Sequence, residues 1–370
     1  MLENIEQFGV TLLIAAAVVS VALLSNRISR WVRVPAPAIF LIGAAVASDL
    51  VPSLQRIPIS VVEQIVTVAL ALILFDGGMH IGWSRLRASV GAVLVVGVVG
   101  TFLTAGALAV LAHVLFGFPW LIALLLGTAL APTDPAVVFS VLGSREVRGR
   151  AGVILEGESG ANDPVGIALL VSLITIGGTT GAGAFASVLG TFALQMAVGA
   201  AVGVAGGWLL LQAMRRLPLP SEGLYPLRTL AAVIGLYGAA TVAHGSGFLA
   251  VFIAGILIGD VRAPFKGEIE RFHSSLASLA EMIAFVVLGL TISLSAVGQQ
   301  RAWLIGLVLA VLLAFVVRPL LVGSLLLAVR LSAGERVFTM WSGLKGAVPI
   351  LLGTFVLTAG TGQAACSSTT

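Results

Sequence analysis

The sequence predicts an all-α protein that crosses a membrane many times. Of its 370 residues, 59% are hydrophobic and only 10% are charged, whereas roughly a quarter of the residues in an ordinary soluble domain are charged. Apolar runs recur along the whole chain, each long enough to cross a hydrocarbon core of about 30 Å as a helix. The alternating segments of about ten residues that build outer-membrane barrels do not occur. Composition and run length therefore favour a polytopic helical membrane protein over a soluble helical core or a barrel.

Twelve spans are predicted, and we expect them to form one transmembrane domain over residues 1–370. The spans are 8–25, 34–49, 59–79, 89–116, 120–142, 152–177, 184–214, 227–243, 247–260, 273–296, 302–329 and 337–360. The 44 glycines are spread through them, as close helix packing in lipid favours. The acidic start of the chain is interpreted as part of a retained first helix, because it lacks the basic region of a signal peptide. Cys366 is the only cysteine, which excludes an internal disulfide.

The basic residues divide unequally between the two sides of these spans. Loops after odd-numbered spans contain sixteen of the 20 lysines and arginines, and loops after even-numbered spans contain two. The sixteen are Arg27, Arg30, Arg33, Arg85, Arg87, Arg145, Arg148, Arg150, Arg215, Arg216, Arg228, Arg262, Lys266, Arg271, Arg330 and Arg336, and the two are Arg56 and Arg301. Because basic loops remain in the cytoplasm, the pattern predicts cytoplasmic odd loops, an outside N-terminus and a multi-pass protein of the cell membrane. The net charge of +4 follows from these loops and does not indicate nucleic-acid binding.

A weak internal repeat links the two halves of the chain. The segment around Gly43 in the second span resembles that around Gly255 in the ninth, 212 positions later. Residues 72–81 of the third span correspond to 285–294 of the tenth, with an offset of 213. An offset of seven spans turns the second copy upside down, so we predict an inverted repeat. Its first copy covers about 8–177, a linker helix about 184–214, and an incomplete second copy about 227–370, because the partner of the sixth span, a thirteenth helix, is not in the sequence.

Two spans at matching places in this repeat contain helix-breaking residues. Pro135 lacks an N–H group and disfavours helix at Asp134, so the fifth span is expected to unwind at Thr133 and Asp134. The twelfth span is interrupted at a glycine-rich stretch around Lys345, 211 residues after Asp134. Crossing broken helices mark a binding site near the membrane midplane. We expect Asp134 to neutralise exposed N–H groups at one break and Lys345 to neutralise exposed carbonyl groups at the other.

Ionisable residues inside the membrane are costly and usually functional. Glu158, Ser159, Asn162 and Asp163 are spaced so that they share one side of the sixth span. Their hydroxyl, amide and carboxylate oxygens suit a monovalent cation such as Na⁺, Li⁺ or K⁺, whereas Mg²⁺ or Ca²⁺ normally gathers more carboxylates. Glu158 is expected to balance the charge of Lys345, which leaves Asp163 without a basic partner. Such a carboxylate binds a proton or a cation but not both, and this competition predicts a secondary transporter that exchanges the two.

The motifs resemble those of the cation:proton antiporter 1 family, of the NhaP/NHE type. The matching stretches are FDGGM at 75–79, APTDPAVV at 131–138, EGESGANDP at 156–164, HGSGFLAVFIAGILIG at 244–259, VRPLLV at 317–322 and GLKGAVPILL at 343–352. The resemblance implies an NhaA/NHE-like inverted-repeat antiporter fold with two crossing broken helices and thirteen helices, of which about twelve are expected here. It also implies a homodimer, electroneutral one-for-one exchange and no cofactor. The sequence departs from the family pattern at Lys345, where arginine is usual, and at Asp76, where glutamate is common.

The resemblance also implies roles for particular residues. Asp163 would carry the ion or the proton beside Asn162, with Ser159 and the Thr133 backbone in the shell of the ion, and Glu158 would pair with a basic residue on the twelfth span. Asp76 is expected near the outer end of the third span, at an entrance. Glu281 and Arg318 are interpreted as interfacial anchors, and the four histidines as packing or interfacial residues.

Sodium is the first choice of cation on this resemblance, and potassium is the alternative because GLKGAVPI also resembles the potassium:proton branch. Two further function classes compete with exchange. A passive channel would also contain broken helices, but no filter sequence repeats along the chain. A rhomboid-like intramembrane serine protease would use Ser159 as nucleophile and His244 as base. That scheme leaves the other intramembrane charges and the repeat unexplained.

Overall fold

A computed structural model describes residues 34–51, 54, 57–134, 138, 150–176, 182–299, 302–329 and 331–367, together with Gly9 and Leu13. All regular secondary structure in these residues is helical, which confirms the predicted all-α class. The helices are α1 Ala36–Leu50, α2 Ile59–Leu86, α3 Val90–Phe116, α4 Trp120–Leu130, α5 Arg150–Ile176, α6 Ala182–Arg216, α7 Leu224–Val242, α8 Gly247–Gly259, α9 Lys266–Leu290, α10 Leu294–Gln299, α11 Ala302–Leu327, α12 Ala333–Trp341 and α13 Val348–Ser367.

The helices follow the predicted spans in order. Five of them are long and apolar enough to cross a membrane by length and composition, namely α2, α3, α6 (from Gly183), α9 and α11. The predicted broken spans appear as α4 alone and as the pair α12 and α13, separated by the non-helical residues 342–347. All of the first predicted span except Gly9 and Leu13, and residues 135–137 and 139–142 of the fifth, lie outside the described residues. So do Arg27, Arg30, Arg33, Arg56, Arg145, Arg148, Arg301 and Arg330.

The packing of the first helices is reciprocal between the two halves. Helix α8 lies against α2, and α9 lies against α1. A two-fold axis that exchanges α1 with α8 and α2 with α9 converts each of these contacts into the other, as an inverted repeat requires. The helices approach so closely that a Cβ atom on Gly78 would collide with the backbone carbonyl of Phe252, and one on Gly255 with that of Phe75. Glycine at these positions therefore permits the crossing.

Two π-helical turns also lie at matching places, one in each half. The first covers Val95–Val99 in α3 and the second covers Leu313–Val317 in α11. The second is followed directly by Arg318 and Pro319, and a proline cannot donate the backbone hydrogen bond that a regular helix needs. Within the first, Gly97 lies against the backbone of Glu158 in α5. The first turn therefore lies beside α5, whereas the second packs against α3.

Candidate functional site

The two non-helical segments meet at the centre of the site. Residues 131–134 follow α4 without helical structure, and residues 342–347 separate α12 from α13. The backbone N–H of Asp134 donates a hydrogen bond to the carbonyl oxygen of Leu344 at 2.8 Å. The predicted crossing of two broken helices is thus present, and it satisfies backbone groups that the breaks release from the helices.

Charged side chains compensate the exposed ends of the half-helices across this crossing. The ammonium group of Lys345 donates hydrogen bonds to the carbonyl oxygens of Ala131 and Pro132, both at 2.8 Å. These carbonyls form the C-terminal end of α4, where the helix dipole favours a cation. The carboxylate of Asp134 lies against Gly346, just before α13 begins, where the dipole favours an anion. Each break therefore receives its compensating charge from the opposite segment.

The predicted pairing of Glu158 with Lys345 is wrong. Glu158 forms its ion pair with Arg318 of α11, at 2.9 Å, and both side chains are buried. Arg318 also donates hydrogen bonds to the carbonyl oxygens of Met340 and Thr339, at the C-terminal end of α12. The ammonium group of Lys345 is hydrogen-bonded to the carbonyl groups at the end of α4, so a second basic group is needed to neutralise the buried Glu158.

The interpretation of Arg318 as an interfacial anchor is therefore also wrong. Its guanidinium group lies inside the fold because Gly343 leaves room for it: a Cβ atom at that position would collide with Nε and Cζ of Arg318. The signal was available in the sequence as an arginine inside an apolar span and directly before a proline.

Helix α5 supplies the polar side chains that were predicted to share one side. Ser159 donates a hydrogen bond from its hydroxyl group to the backbone carbonyl of Thr133. The amide of Asn162 donates to the hydroxyl oxygen of Thr133 at 2.8 Å, and its own oxygen Oδ1 has no hydrogen-bond partner among the described residues. Thr133, Ser159 and Asn162 are all buried. The structure therefore brings these three predicted residues together, and it fixes the unwound segment to α5.

Asp163 follows directly and lines a cavity of about 370 Å³. Its side chain is only 9% exposed, and no salt bridge reaches it within the described residues. The next residue, Pro164, lies inside α5 and cannot donate to the carbonyl of Gly160, which also lines the cavity. Asp163, Ser159 and Gly160, whose carbonyl Pro164 releases from helical bonding, thus line one cavity. Hard oxygen donors of this kind coordinate alkali cations.

The cavity continues to the end of the molecule that carries Arg85. Asp76 and His80 of α2 line it beside Glu156 of α5, and Glu156 lies 3.8 Å from Arg85. Asp76 forms an ion pair with His80 at 3.4 Å, and its oxygen Oδ1 is buried with no hydrogen-bond partner among the described residues. Asp76 is the eighteenth of the 28 residues of α2 and lines the cavity at that depth, so its expected place near the outer end of the span stays a prediction. His80 is a cavity residue and not a packing residue.

Glu281 was also misplaced by sequence reasoning. The structure puts it in the wall of the same cavity, together with Ser274 and Ser278 of α9, and not at the membrane interface. The signal was a glutamate inside a predicted span with serines three and seven positions earlier, a spacing that places all three on one helical face. Among the described residues no group of three or more histidine, cysteine and acidic side chains is arranged to hold a metal ion.

A second cavity, of about 450 Å³, lies further along α5. Ile167, four residues after Asp163, lines it with Gln195 of α6, Tyr237 of α7 and His244. None of the residues lining this cavity lines the first. Ser159 and His244 therefore line different cavities, and the Ser159 hydroxyl group donates to the carbonyl oxygen of Thr133. This arrangement argues against a protease, whose nucleophile and base must be within hydrogen-bond reach of each other.

These features define a class of protein. Helices with reciprocal packing, two crossed breaks with compensated dipoles and a buried carboxylate in a cavity at the crossing are the architecture of an inverted-repeat membrane transporter. Comparison with known proteins identifies the family. The chain belongs to the transmembrane sodium/hydrogen exchangers, whose family profile matches residues 14–370.

Individual relatives agree with this assignment. The chain is 35% identical over 360 residues to the K⁺/H⁺ antiporter NhaP of Alkalimonas amylolytica, covering 96% of this chain and 62% of that protein. It is 24% identical to the Na⁺/H⁺ antiporter NhaH of Halobacillus aidingensis, covering 93% and 87%. The solved structure of the sodium proton antiporter MjNhaP1 from Methanocaldococcus jannaschii superposes with a TM-score of 0.79 at 23% identity, covering 95% of this chain and 90% of that one. The chain thus spans about three fifths of the length of the K⁺/H⁺ relative.

Proposed function

We propose that this chain exchanges a monovalent cation for protons, and that Asp163 binds either one. The observation that carries the proposal is a carboxylate only 9% exposed, lining a cavity, without a salt bridge in the described part of the chain. A buried carboxylate is stable when it is protonated or when a cation neutralises it. The neighbouring basic groups are engaged elsewhere, because Arg318 binds Glu158 and Lys345 binds carbonyl groups. Binding of one ion at Asp163 therefore requires release of the other.

The two cavities favour exchange over a passive channel. Both border α5, and the Asp163 cavity shares no lining residue with the cavity at Ile167. A site reached from one cavity at a time is what alternating access requires, whereas a channel needs a continuous pore. In this proposal Ser159, Asn162 and Thr133 hold the geometry around Asp163. Asp134, Glu158 and Lys345 maintain the crossing.

Two cations are candidates for the exchanged ion. Na⁺ (with Li⁺) is supported by the family description and by the sodium/proton relatives. K⁺ is the second candidate, because relatives that are 34–35% identical to this chain, among them the protein of Alkalimonas amylolytica, are K⁺/H⁺ antiporters. Exchange of one cation for one proton at a single carboxylate moves no net charge, so we propose an electroneutral cycle.

We also propose the cell membrane as the location, cytoplasmic loops after the odd-numbered spans, and a homodimer. The exposed apolar side chains of α6, among them Trp208 and Leu209, offer a surface for lipid or for a second copy. The mass of the detergent-purified protein, measured by light scattering, would be that of a monomer if the dimer proposal were wrong.

The proposal is tested with the purified chain in proteoliposomes that carry a pH gradient. Addition of Na⁺, Li⁺ or K⁺ should dissipate the gradient, at a rate that does not change when the membrane potential is clamped with valinomycin and K⁺. Asp163→Asn should abolish dissipation, because an amide neither releases a proton nor neutralises a cation. The exposed loop residue Glu222 provides the matched control, and Glu222→Gln should exchange at the wild-type rate.

Two results would contradict the proposal. Wild-type exchange by a folded Asp163→Asn variant would remove Asp163 from the mechanism. A steady-state cation gradient that follows the membrane potential would refute the one-for-one stoichiometry, because only a net charge movement couples transport to voltage.

A further inference from the structure

Helix α9 presents a stripe of polar side chains to the cavity, and the exchange mechanism proposed above gives these side chains no role. Ser274, Ser278 and Glu281 lie on one face of α9, and all three line the cavity that contains Asp163. Ser278 donates its hydroxyl hydrogen to the carbonyl oxygen of Ser274 at 3.0 Å. The oxygen of Ser278 therefore keeps its lone pairs available to a cation.

The charge around Glu281 is strongly negative. Four further acidic residues line the same cavity, namely Asp76, Asp134, Glu156 and Asp163. The basic group among the residues that line this cavity is His80, which is paired with Asp76. No salt bridge reaches Glu281 among the described residues. A cavity with this excess of negative charge attracts and concentrates cations.

The cavity that the stripe faces also contains buried acidic oxygens without a hydrogen-bond partner among the described residues. Asp163, nine-tenths buried, opens into the same cavity without a salt bridge, and one oxygen of Asp76 is buried without a hydrogen bond, within the described residues. Unpaired oxygens around one space indicate a ligand that supplies positive charge and no hydrogen-bond acceptor. A partly dehydrated monovalent cation has these properties.

We propose that Glu281 and the hydroxyl group of Ser278 form an access subsite, which binds the monovalent cation on the α9 wall of the cavity before it reaches Asp163. The inference rests on the exchange function proposed above. Because Asp163 belongs to α5 and Glu281 to α9, the two carboxylates lie on different walls. The access subsite then sets how strongly the cation is captured, and Asp163 sets whether it is exchanged for a proton.

The kinetic experiment measures initial exchange rates of the purified chain in proteoliposomes against Na⁺ and K⁺ concentration at fixed pH. Glu281→Gln should raise the apparent KM about tenfold, a loss of roughly 1.4 kcal/mol in binding, and leave the maximal rate within about twofold. Glu281→Asp should recover part of the affinity, and Ser278→Ala should cause a smaller rise in KM. Glu268→Gln is the matched control, because Glu268 lies on the same helix, pairs with Arg271 and lines a different cavity. It should leave KM unchanged.

A binding measurement separates this inference from the exchange proposal. Binding of radioactive Na⁺, or of Rb⁺ as a K⁺ analogue, is measured on detergent-purified Asp163→Asn with and without Glu281→Gln. Residual binding by Asp163→Asn that Glu281→Gln removes would support the access subsite. The inference is overturned if Glu281→Gln leaves both KM and this residual binding unchanged, or if it lowers only the maximal rate. A wild-type chain that binds cations through Glu281 but does not exchange them would refute the exchange proposal alone.

Discussion

Arg318 shows what sequence reasoning can and cannot decide about a single residue. The sequence identifies the charged residues that the structure brings to the crossing and its cavity, and it places Ser159, Asn162 and Asp163 on one side of α5. It does not decide which opposite charges meet, because Lys345 and Arg318 both lie in the second half of the chain within reach of Glu158. Their assignment depends on the unwound carbonyls of Ala131 and Pro132, which compete for Lys345.

A double-mutant cycle tests the pair that the structure shows. Arg318→Met leaves the Glu158 carboxylate buried without a partner, so it should destabilise the protein by about 3–5 kcal/mol. Arg318→Met combined with Glu158→Gln should cost clearly less than the sum of the two single changes, since no net charge remains buried. Thermal unfolding in detergent measures all four proteins.

The control is a second cycle with Lys345 in the place of Arg318, because the sequence predicts Lys345 as the partner of Glu158. Lys345→Met combined with Glu158→Gln should give additive losses, because Lys345 contacts carbonyl groups and not Glu158. Coupling between Lys345 and Glu158 as strong as that between Arg318 and Glu158 would show that the assignment is wrong.

At the scale of helices, periodicity and length predict position well and local geometry poorly. The bounds of α3, α6 and α11 agree with the predicted spans within two residues, whereas α2 extends seven residues beyond its predicted end. The π turns at Val95–Val99 and Leu313–Val317 have no signature in hydropathy, because inserting one residue in a turn leaves the apolar run intact. The glycines in the sequence indicate close helix packing, but they do not indicate that α2 and α8 are the helices that meet.

Two adjacent glycines of α2 provide a sharp test of that crossing. A Cβ atom on Gly78 would meet backbone atoms of Phe252 and Ile256, whereas a Cβ atom on Gly77 would meet no atom within 4 Å. Gly78→Ala should therefore destabilise the protein by about 1–3 kcal/mol, since a backbone cannot move aside as a side chain can. Gly77→Ala should be neutral or slightly stabilising, because alanine favours helix more than glycine does. Equal melting temperatures for the two variants would show that α2 and α8 do not cross at Gly78.

At the scale of the whole molecule, the contacts between loops separate into two groups. Arg150, in the loop after the fifth span, donates a hydrogen bond to the carbonyl of Ala88, which follows the third. Asp49, at the end of the second span, accepts one from the backbone of Ser295, at the end of the tenth. Loops of the same parity therefore lie together, as an arrangement of spans that alternate in direction requires. The count of basic residues, which needs no structure, divides the loops in the same way.

Cysteine labelling tests the proposed orientation, and the single natural cysteine makes the experiment simple. In a Cys366→Ser background, Ser295→Cys places a thiol at the end of the even-numbered tenth span, and Glu222→Cys places one in the loop after the odd-numbered seventh. Both positions are exposed. A membrane-impermeant maleimide applied to intact cells should label the cysteine at 295 and not the one at 222, because basic loops such as that containing Arg215 and Arg216 stay in the cytoplasm. Inverted vesicles should give the opposite result, and labelling of both positions from the same side would contradict the predicted topology.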